Sequence, residues 1–267
     1  MKDSTIKYYE IRLKKMDIKD YNNYDEILKK LEFIGKYETR KQACSAILYH
    51  LRSGNTESPI IPRVQEYLQS LNNKLKEARK KNEFSKQSDA DNFMNWEDIL
   101  TMRDSITDPL EKLVISLYTY SPPRRRRDYF NFYYLDLSNL EVDNELEDIS
   151  KNYITKDKKL IFNDYKTKTK YGRQEFDCPD EIYNQVIALG YRNKQKIFNL
   201  TQDCDMSKFV TGVFEKYCKK HMTIRLMRIS YINYITKNPN LTYQERESIS
   251  KMMAHTVDEQ LLYKKIT

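Results

Sequence analysis

The chain has 267 residues, of which 39% are hydrophobic, and its 22 Tyr and 10 Phe are enough to build the cores of two modest domains. Its net charge of +8 suits a polyanionic partner. Only five glycines occur, and they are scattered. A glycine-rich phosphate loop is therefore absent from the sequence, which argues against a nucleotide-driven machine and predicts that no nucleotide is bound.

The positive charge is concentrated in the first third of the chain. Residues 1–86 carry 19 Lys and Arg against 12 Asp and Glu, whereas residues 87–267 carry 28 against 27. A polar stretch, Glu83–Asn92, separates the two parts. A basic part over residues 1–86 and a balanced part over residues 87–267 fit a helical DNA-binding domain followed by a catalytic domain.

The four cysteines are far apart and form no Cys-x-x-Cys pair. This spacing predicts reduced thiols in an intracellular protein, with no disulfide frame and no metal site. Apolar runs in the sequence fall short of transmembrane length, so we expect no membrane association.

Helical periodicity dominates residues 1–86. Helical pieces are predicted within residues 1–35, a clearer helix over Thr39–Arg52, and a long helix that opens at Pro62. One face of the long helix is apolar, and its other face carries the basic residues Lys74, Lys76, Arg79, Lys80 and Lys81. A solvated face and a DNA contact made by Lys76, Arg79 and Lys80 explain this pattern equally well.

The second part begins with a helix at Trp96 and another whose start is marked by Asp108, Pro109 and Glu111, the residues of a capping box. That helix leads into Ser121–Tyr129, a stretch with four consecutive arginines, and a helix-like run, Asp128–Leu137, follows. Because the arginines lie between two apolar segments, a purely solvated run is less expected. The planar guanidinium fork suits recognition of a phosphate.

Three short strands are predicted next, at Asn152–Thr155, Lys159–Phe162 and Arg173–Cys178, with a polar turn over Lys166–Gly172. Helices resume afterwards, and they are predicted at Asp180–Leu189, Ser207–Lys220, Thr223–Thr236, from Thr242 to about Met253, and Asp258–Lys265. The sequence thus predicts an α+β protein that is mostly helical, with a small antiparallel sheet.

The order of the charged residues completes the pattern: an arginine box, a lysine on a β-hairpin, basic residues on late helices, and a tyrosine near residue 263. Over residues 95–265 this order resembles the tyrosine recombinase (phage integrase-like) family. Arg125, Asp128 and Asp136 match its first box. The Pro-Pro-Arg-Arg variant is similar to integrase-like proteins of large DNA viruses and their mobile elements. Pro123 replaces the usual Gly, which leaves both Arg124 and Arg125 open as the phosphate ligand.

The remaining boxes of the resemblance lie further along the chain. Lys166 is the best match for the hairpin lysine, with Lys168 and Lys170 in reach. The box that is normally His-x-x-Arg here has Arg225 and Arg228. The family's Leu-Gly-His box corresponds to Met253–His255, and the nucleophile corresponds to Tyr263.

The resemblance implies a chemistry that requires neither cofactor nor metal. Tyr263 would attack a DNA phosphodiester and form a 3′-phosphotyrosine bond, while Arg125, Arg228 and His255 would stabilise the developing charge. Lys166 would protonate the leaving 5′-oxygen as a general acid. Arg225 would contribute charge only, because a guanidinium does not deprotonate. Arg124, Lys168 and Lys170 would contact DNA.

The resemblance also implies the partners and the location. Four protomers would assemble on two double-stranded DNA sites inside a cell, in the host nucleus or cytoplasm where viral or mobile-element DNA is found. Each motif alone fits an ordinary packing, capping or solvated role, and the ordered set favours the family. Two alternatives stay open: a type IB topoisomerase-like enzyme, and a catalytically inactive DNA-binding relative, which the replacement of the usual His by Arg225 supports.

Overall fold

The computed structural model describes residues 3–54, 57–80, 87–136, 148–258 and 260. The chain divides into two compact units, Met1–Lys81 and Asn82–Thr267, which we call unit 1 and unit 2. The sequence predicted a boundary a few residues further along, after residue 86. The roles that we expect for the two units, DNA binding and catalysis, stay predictions.

Unit 1 is built from helices. They are α1 (Asp3–Met16), α2 (Tyr24–Glu32), α3 (Tyr37–Gly54) and α4 (Ile60–Lys80). Their apolar stripes meet in a core whose centre holds Ile27, Ala43, Ile47 and Val64, all 0% exposed. Pro62 lies in the first turn of α4, where its missing N–H removes no helical hydrogen bond. The predicted helices of this region are therefore confirmed.

Unit 2 mixes helices with one sheet. Its elements are α5 (Gln87–Asp91), α6 (Trp96–Ser105), α7 (Pro109–Thr119), α8 (Arg126–Phe130), β1 (Phe132–Leu135), β2 (Asn152–Thr155), β3 (Lys159–Phe162), α9 (Lys168–Tyr171), β4 (Gln174–Asp177), α10 (Asp180–Ala188), α11 (Asp203–Cys218), α12 (Ile224–Thr236) and α13 (Tyr243–Met252). The mostly helical α+β class is thus confirmed. Within the residues that the structure describes, no helix is both long enough and apolar enough to span a bilayer.

The sheet has the order β1-β2-β3-β4, and it is mixed: β1 runs parallel to β2, and the other neighbours are antiparallel. The prediction of a purely antiparallel sheet was wrong, because β1 occupies part of the predicted helix Asp128–Leu137. Helix α8 ends at Phe130, and the aromatic strand that follows is held by backbone bonds from Tyr134 N to Gln195 O and from Ile197 N to Phe132 O. These long-range pairings outweigh the local helical pattern.

The predicted role of Asp136 changes with the sheet. It follows β1 instead of ending a helix, and its carboxylate accepts a hydrogen bond from Lys156 at 2.9 Å. Asp128 keeps its place in a helix, the short α8, where it is fully buried. The helix that contains the first box is therefore much shorter than predicted, and it ends before the second acidic residue of the box.

Helix α7 starts as the sequence predicts, and the arginine run follows its C-terminal end. The Asp108 carboxylate accepts hydrogen bonds from Leu110 N at 3.0 Å and from Glu111 N at 2.9 Å. The side chain of Glu111 does not complete the predicted capping box. It accepts hydrogen bonds from Lys216 Nζ at 2.8 Å and Tyr217 Oη at 3.0 Å, which tie α7 to α11.

Asp108→Ala is expected to lower the free energy of unfolding of unit 2 by about 1 kcal/mol, because two N–H groups at the start of α7 lose their acceptor. Asp108→Asn keeps an acceptor and is the matched control, with an expected loss of a few tenths of a kcal/mol. Trp96 is the only tryptophan of the chain and lies in unit 2, so its fluorescence during urea unfolding reports on this unit. Equal losses for both variants would contradict the capping role.

Candidate active site

The C-terminal end of α13 forms the centre of the candidate site. The helix begins with the predicted capping box of Thr242 and Glu245 and ends at Met252. The chain then turns through Ala254, whose φ of 53° is left-handed. The carbonyl groups of this last turn have no partners within the helix and carry the negative end of its dipole, so they attract cations and donors.

Donors from distant parts of the chain bind these carbonyl groups. Arg124 Nη1 donates to Met252 O, Arg125 Nη1 to Ala254 O at 2.7 Å, and Arg228 Nη1 to Met253 O at 3.4 Å. Gln174 Nε2, on β4, donates to Lys251 O at 3.1 Å. The fold thus brings the arginine run, α12 and the sheet together around the Met253–His255 turn.

Arg124 lies inside the protein, with 2% of its surface exposed. Its Nε donates to Asp128 Oδ2 at 3.0 Å, its Nη2 donates to Gln174 Oε1 at 3.0 Å, and its guanidinium lies 3.9 Å from the centroid of the Phe162 ring. Each guanidinium nitrogen therefore has a partner within the protein. The residue thus links α8, β4 and α13 inside unit 2, and this burial does not support the predicted DNA contact of Arg124, which stays a prediction.

Arg125 is the arginine of the run that is both partly accessible and bonded to the Met253–His255 turn. It is half-buried, and its bond to Ala254 O directs the guanidinium toward the Met253–His255 turn. Arg126 and Arg127 are exposed and pair with Asp203 and Asp164, respectively. Of the two arginines left open by the sequence, Arg125 is therefore the one whose guanidinium is partly accessible to a phosphate.

Arg228 and His255 form a buried pair, with 2% and 1% of their surfaces exposed. Arg228 donates through Nη1 to Pro123 O at 2.6 Å, and its Nη2 lies 3.1 Å from His255 Nδ1. A guanidinium only donates, so Nδ1 accepts and the imidazole proton lies on Nε2. Burial, together with the nearby guanidinium groups of Arg228 and Arg125, lowers the pKa of His255 to about 3. The imidazole is thus neutral at pH 7 and is a donor through Nε2.

The carboxylate of Asp128 lies close to these cations and offsets part of their positive charge. Its carboxylate is 0% exposed and bonded to Arg124, and its Oδ1 has no hydrogen-bond partner in the described residues. Burial raises the pKa of Asp128, and the guanidinium groups of Arg124, Arg125 and Arg228 oppose that shift. The buried carboxylate thus faces a surplus of positive charge, which is available for an anionic ligand.

The lysine-bearing connection between β3 and β4 packs against the same turn. Thr167 Oγ1 donates to Ala254 O at 3.1 Å. The same carbonyl oxygen also accepts a hydrogen bond from Arg125 Nη1. Part of the predicted polar turn is helical, because residues 168–171 form α9, and Gly172 ends it at a φ of 68°. Antiparallel pairing of β3 with β4 confirms the predicted hairpin.

The candidate lysines of this hairpin occupy different surroundings. Lys166 is exposed, and Lys168 Nζ donates to Ile149 O at 3.2 Å. Lys170 lines an open cleft of about 770 Å³ that His255, Lys251 and Thr256 also line. The structure therefore brings Lys170 and His255 to one cleft, and it places Lys166 in solvent.

Arg225 is separated from the buried pair although it lies one helical turn before Arg228. It is exposed and forms an ion pair with Asp89 of α5. Tyr231, six residues further along α12, packs against Trp96 with ring centroids 5.0 Å apart, and burial raises the pKa of Tyr231 to about 12. The predicted catalytic contribution of Arg225 is therefore not supported by its position, because α12 turns this residue toward α5.

Three positioning residues were missed by the sequence reasoning. Gln174 connects Arg124 to α13, and Thr167 fixes the hairpin to Ala254 O. Asn152 is fully buried and donates to Asp128 O at 2.7 Å and to Asp164 O at 2.8 Å, which joins α8 to the hairpin. A polar residue inside a buried strand, such as Asn152 in β2, was the available signal.

The remaining predicted site residues are Tyr263 and the basic residues of α4. Tyr263 lies outside the described residues. Gln260, three residues before it in the sequence, is 1% exposed, and its Oε1 accepts a hydrogen bond from Ser250 at 3.3 Å. Lys76 of unit 1 is exposed, and the side chains of Arg79 and Lys80 lie outside the described residues. Across the described parts of both units, no group of three or more His, Cys, Asp or Glu is placed to hold a metal ion.

The geometry thus defines a class of site: a fixed, partly buried cluster of cationic and neutral donors next to an open cleft, which is suited to a phosphate oxygen. Comparisons with protein-family models, with curated proteins and with solved structures found no match. The tyrosine recombinase family therefore stays a prediction from the sequence motifs, and the function below is a proposal.

Proposed function

We propose that this chain is a site-specific tyrosine recombinase that cleaves and rejoins DNA through a 3′-phosphotyrosine intermediate. One observation carries the proposal. Arg125, Arg228, His255 and the Thr167 hairpin, which the sequence places far apart, meet at one helix end. The anchored Gln260 supports it, because the proposed nucleophile follows only three residues later.

In this mechanism the phosphodiester oxygens bind at the half-buried guanidinium of Arg125 and at the wall of the cleft that His255 lines. Arg125 neutralises a non-bridging oxygen, and the imidazole of His255 donates to phosphate through Nε2, as its tautomer requires. Arg228 supplies positive charge from within and holds the imidazole in place. Since Nδ1 of His255 is engaged and its pKa is about 3, we assign this residue as a donor and not as the base for Tyr263.

Tyr263 attacks the phosphorus, the phosphotyrosine bond forms, and the bond to the 5′-oxygen breaks. A free tyrosine titrates near 10, so the cations of the cluster must favour its ionised form. A lysine of the hairpin protonates the leaving oxygen. The sequence assigns this role to Lys166, and the cleft that Lys170 shares with His255 makes Lys170 the alternative. The reverse step releases the tyrosine and rejoins the strand.

A catalytically inactive DNA-binding relative is the second candidate, and one observation favours it. The residue that replaces the family's histidine, Arg225, forms an ion pair with Asp89 at the surface. In this arrangement it adds no donor to the cluster around Arg228. If that missing donor is essential, the chain binds DNA without cutting it.

Tyr263→Phe is expected to abolish a covalent protein–DNA adduct that the wild-type chain forms on nicked suicide duplexes. The phenyl ring lacks the attacking oxygen, and removal of a nucleophile typically lowers such rates by roughly a millionfold. The duplexes would be tiled across the ends of the element that encodes the protein. Denaturing gels would detect the adduct as a band that resists salt and detergent.

Tyr243→Phe is the matched control, because Tyr243 is exposed and lines the same cleft. It should form the adduct as the wild-type chain does. An adduct with Tyr263→Phe would contradict the assigned nucleophile. Wild-type chain that binds DNA in a salt-sensitive way without an adduct would instead establish the inactive relative. Relaxation of plasmids without a defined site would favour a type IB topoisomerase-like enzyme over a recombinase that assembles as a tetramer on paired sites.

A further inference from the structure

Phe33 of unit 1 is 92% exposed, the largest exposure among the large apolar side chains that the structure describes. It follows the last residue of α2, and its backbone N–H donates to Leu31 O and Lys29 O. Single exposed apolar side chains are common, so the exposure alone identifies no site. The residues around Phe33 distinguish it from an ordinary exposed side chain.

One half-buried guanidinium, that of Arg40, binds the backbone on both sides of Phe33. Arg40 Nη2 donates to Glu32 O at 3.0 Å and to Ile34 O at 2.7 Å, and Arg40 Nε donates to Ile34 O at 3.0 Å. Its Nη1 donates to Tyr67 Oη of α4 at 3.2 Å. The carbonyl groups on both sides of Phe33 are therefore bonded to one side chain, which supports the backbone from which the phenyl ring projects into solvent.

Cations and a second aromatic ring surround this turn. Lys36 is exposed three residues after Phe33, and Tyr37 is 43% exposed. Lys74 Nζ of α4 lies 6.0 Å from the centroid of the Tyr37 ring. Lys29 and Lys30 add positive charge in the last turn of α2, while Glu32 and Glu38 oppose part of it. The net charge of these residues is positive, and the rings of Phe33 and Tyr37 beside them are both exposed to solvent.

We propose that Phe33, Lys36, Tyr37 and Lys74, here named the wedge surface, bind duplex DNA, with the lysines on phosphates and the Phe33 ring inserted at a base step. Apolar wedges of this kind unstack a step and bend the duplex when the protein holds them rigidly. A protein partner fits less well, because the cores of protein interfaces are depleted in lysine. The choice of DNA rests on the proposed function.

Phe33→Ala is expected to weaken DNA binding about tenfold, which is the effect of losing one stacked ring. The probe is a short AT-rich duplex that carries 2-aminopurine at several adenine positions. Wild-type chain should raise its fluorescence by unstacking, and Phe33→Ala should not. The salt dependence of binding should stay the same for Phe33→Ala, because no phosphate contact is lost, whereas Lys36→Ala should reduce its slope by about one.

Ile11→Ala is the matched control, because Ile11 is an apolar residue of the same unit with 59% exposure, and it should leave affinity and fluorescence unchanged. Equal binding and equal fluorescence for wild type and Phe33→Ala would overturn the wedge, whether or not wild type forms the Tyr263 adduct. A fluorescence change that depends on Phe33 in a chain without any adduct would keep the wedge and remove the proposed catalysis. The two proposals therefore fail separately.

Discussion

Arg124→Met is expected to lower the free energy of unfolding of unit 2 by about 3–5 kcal/mol, although three further arginines follow in the sequence. The substitution leaves the buried carboxylate of Asp128 without its bonded cation and removes a donor from Met252 O and Gln174 Oε1. Breaking a buried ion pair by removing one partner has a cost of this size, because an unpaired charge stays in the interior.

The neighbouring arginines provide graded controls in the same segment. Arg125→Met removes one bond to Ala254 O from a half-buried residue, and we expect a loss of about 1 kcal/mol. Arg126→Met breaks an exposed pair with Asp203 and is expected to cost less than about 1 kcal/mol. Urea unfolding followed by Trp96 fluorescence gives all three values for unit 2.

Activity should be most sensitive at Arg125, although the largest loss of stability is expected at Arg124. Arg125→Met is expected to keep unit 2 folded and to slow formation of the Tyr263 adduct by about 10²–10³, which is typical for loss of one charge-stabilising donor. Arg126→Met should form the adduct at close to the wild-type rate. A stable Arg124→Met variant with a selectively lost adduct would contradict our assignment and would make Arg124 the phosphate ligand.

Several helices and strands could be predicted from the sequence alone. Helix periodicity and terminal signals identified α7, α12 and α13, because Asp108, Thr223 and Thr242 each cap a local segment through their own side chains. Short runs with β-branched and aromatic residues on both sides of a polar turn identified β2 and β3. Such features depend on neighbours within a few residues, and a single sequence contains all the information that they require.

The parts that the sequence misplaced depend on distant partners. Arg124 and Arg125 are chemically identical, and burial distinguishes them only after Met252 and Gln174 arrive from elsewhere in the chain. Likewise β1 is a strand because β2 and Gln195 supply its backbone partners. Arg225 is turned outward because α5 offers Asp89. Tertiary contacts determine the burial of Arg124, the strand conformation of β1 and the orientation of Arg225. The local sequence pattern does not contain this information.

The pH dependence of stability should report the buried His255 directly. Its pKa is lowered from an ordinary 6.5 to about 3 in the folded chain. Above pH 6.5 neither state binds the proton, so stability is unaffected there. As the pH falls from 6.5 toward 3, the unfolded chain takes up a proton that the folded chain does not, and the free energy of unfolding decreases.

The comparison that isolates this effect is wild type against His255→Asn, whose side-chain oxygen still accepts from Arg228. Carboxylates titrate in both proteins, so their contributions cancel in the difference between the two unfolding free energies. From pH 7 to pH 4 we expect the stability advantage of wild type to fall by about 3 kcal/mol. Trp96 fluorescence in urea at successive pH values gives the measurement for unit 2.

His50→Asn is the control for the probe, because His50 lies in unit 1, where it packs against Tyr21 with ring centroids 4.1 Å apart. It should leave the Trp96 transition of unit 2 unchanged at every pH. A constant difference between wild type and His255→Asn from pH 7 to pH 4 would mean that the folded chain takes up the proton as readily as the unfolded chain. The imidazole would then be a possible base for Tyr263, and our assignment of His255 as a fixed neutral donor would be wrong.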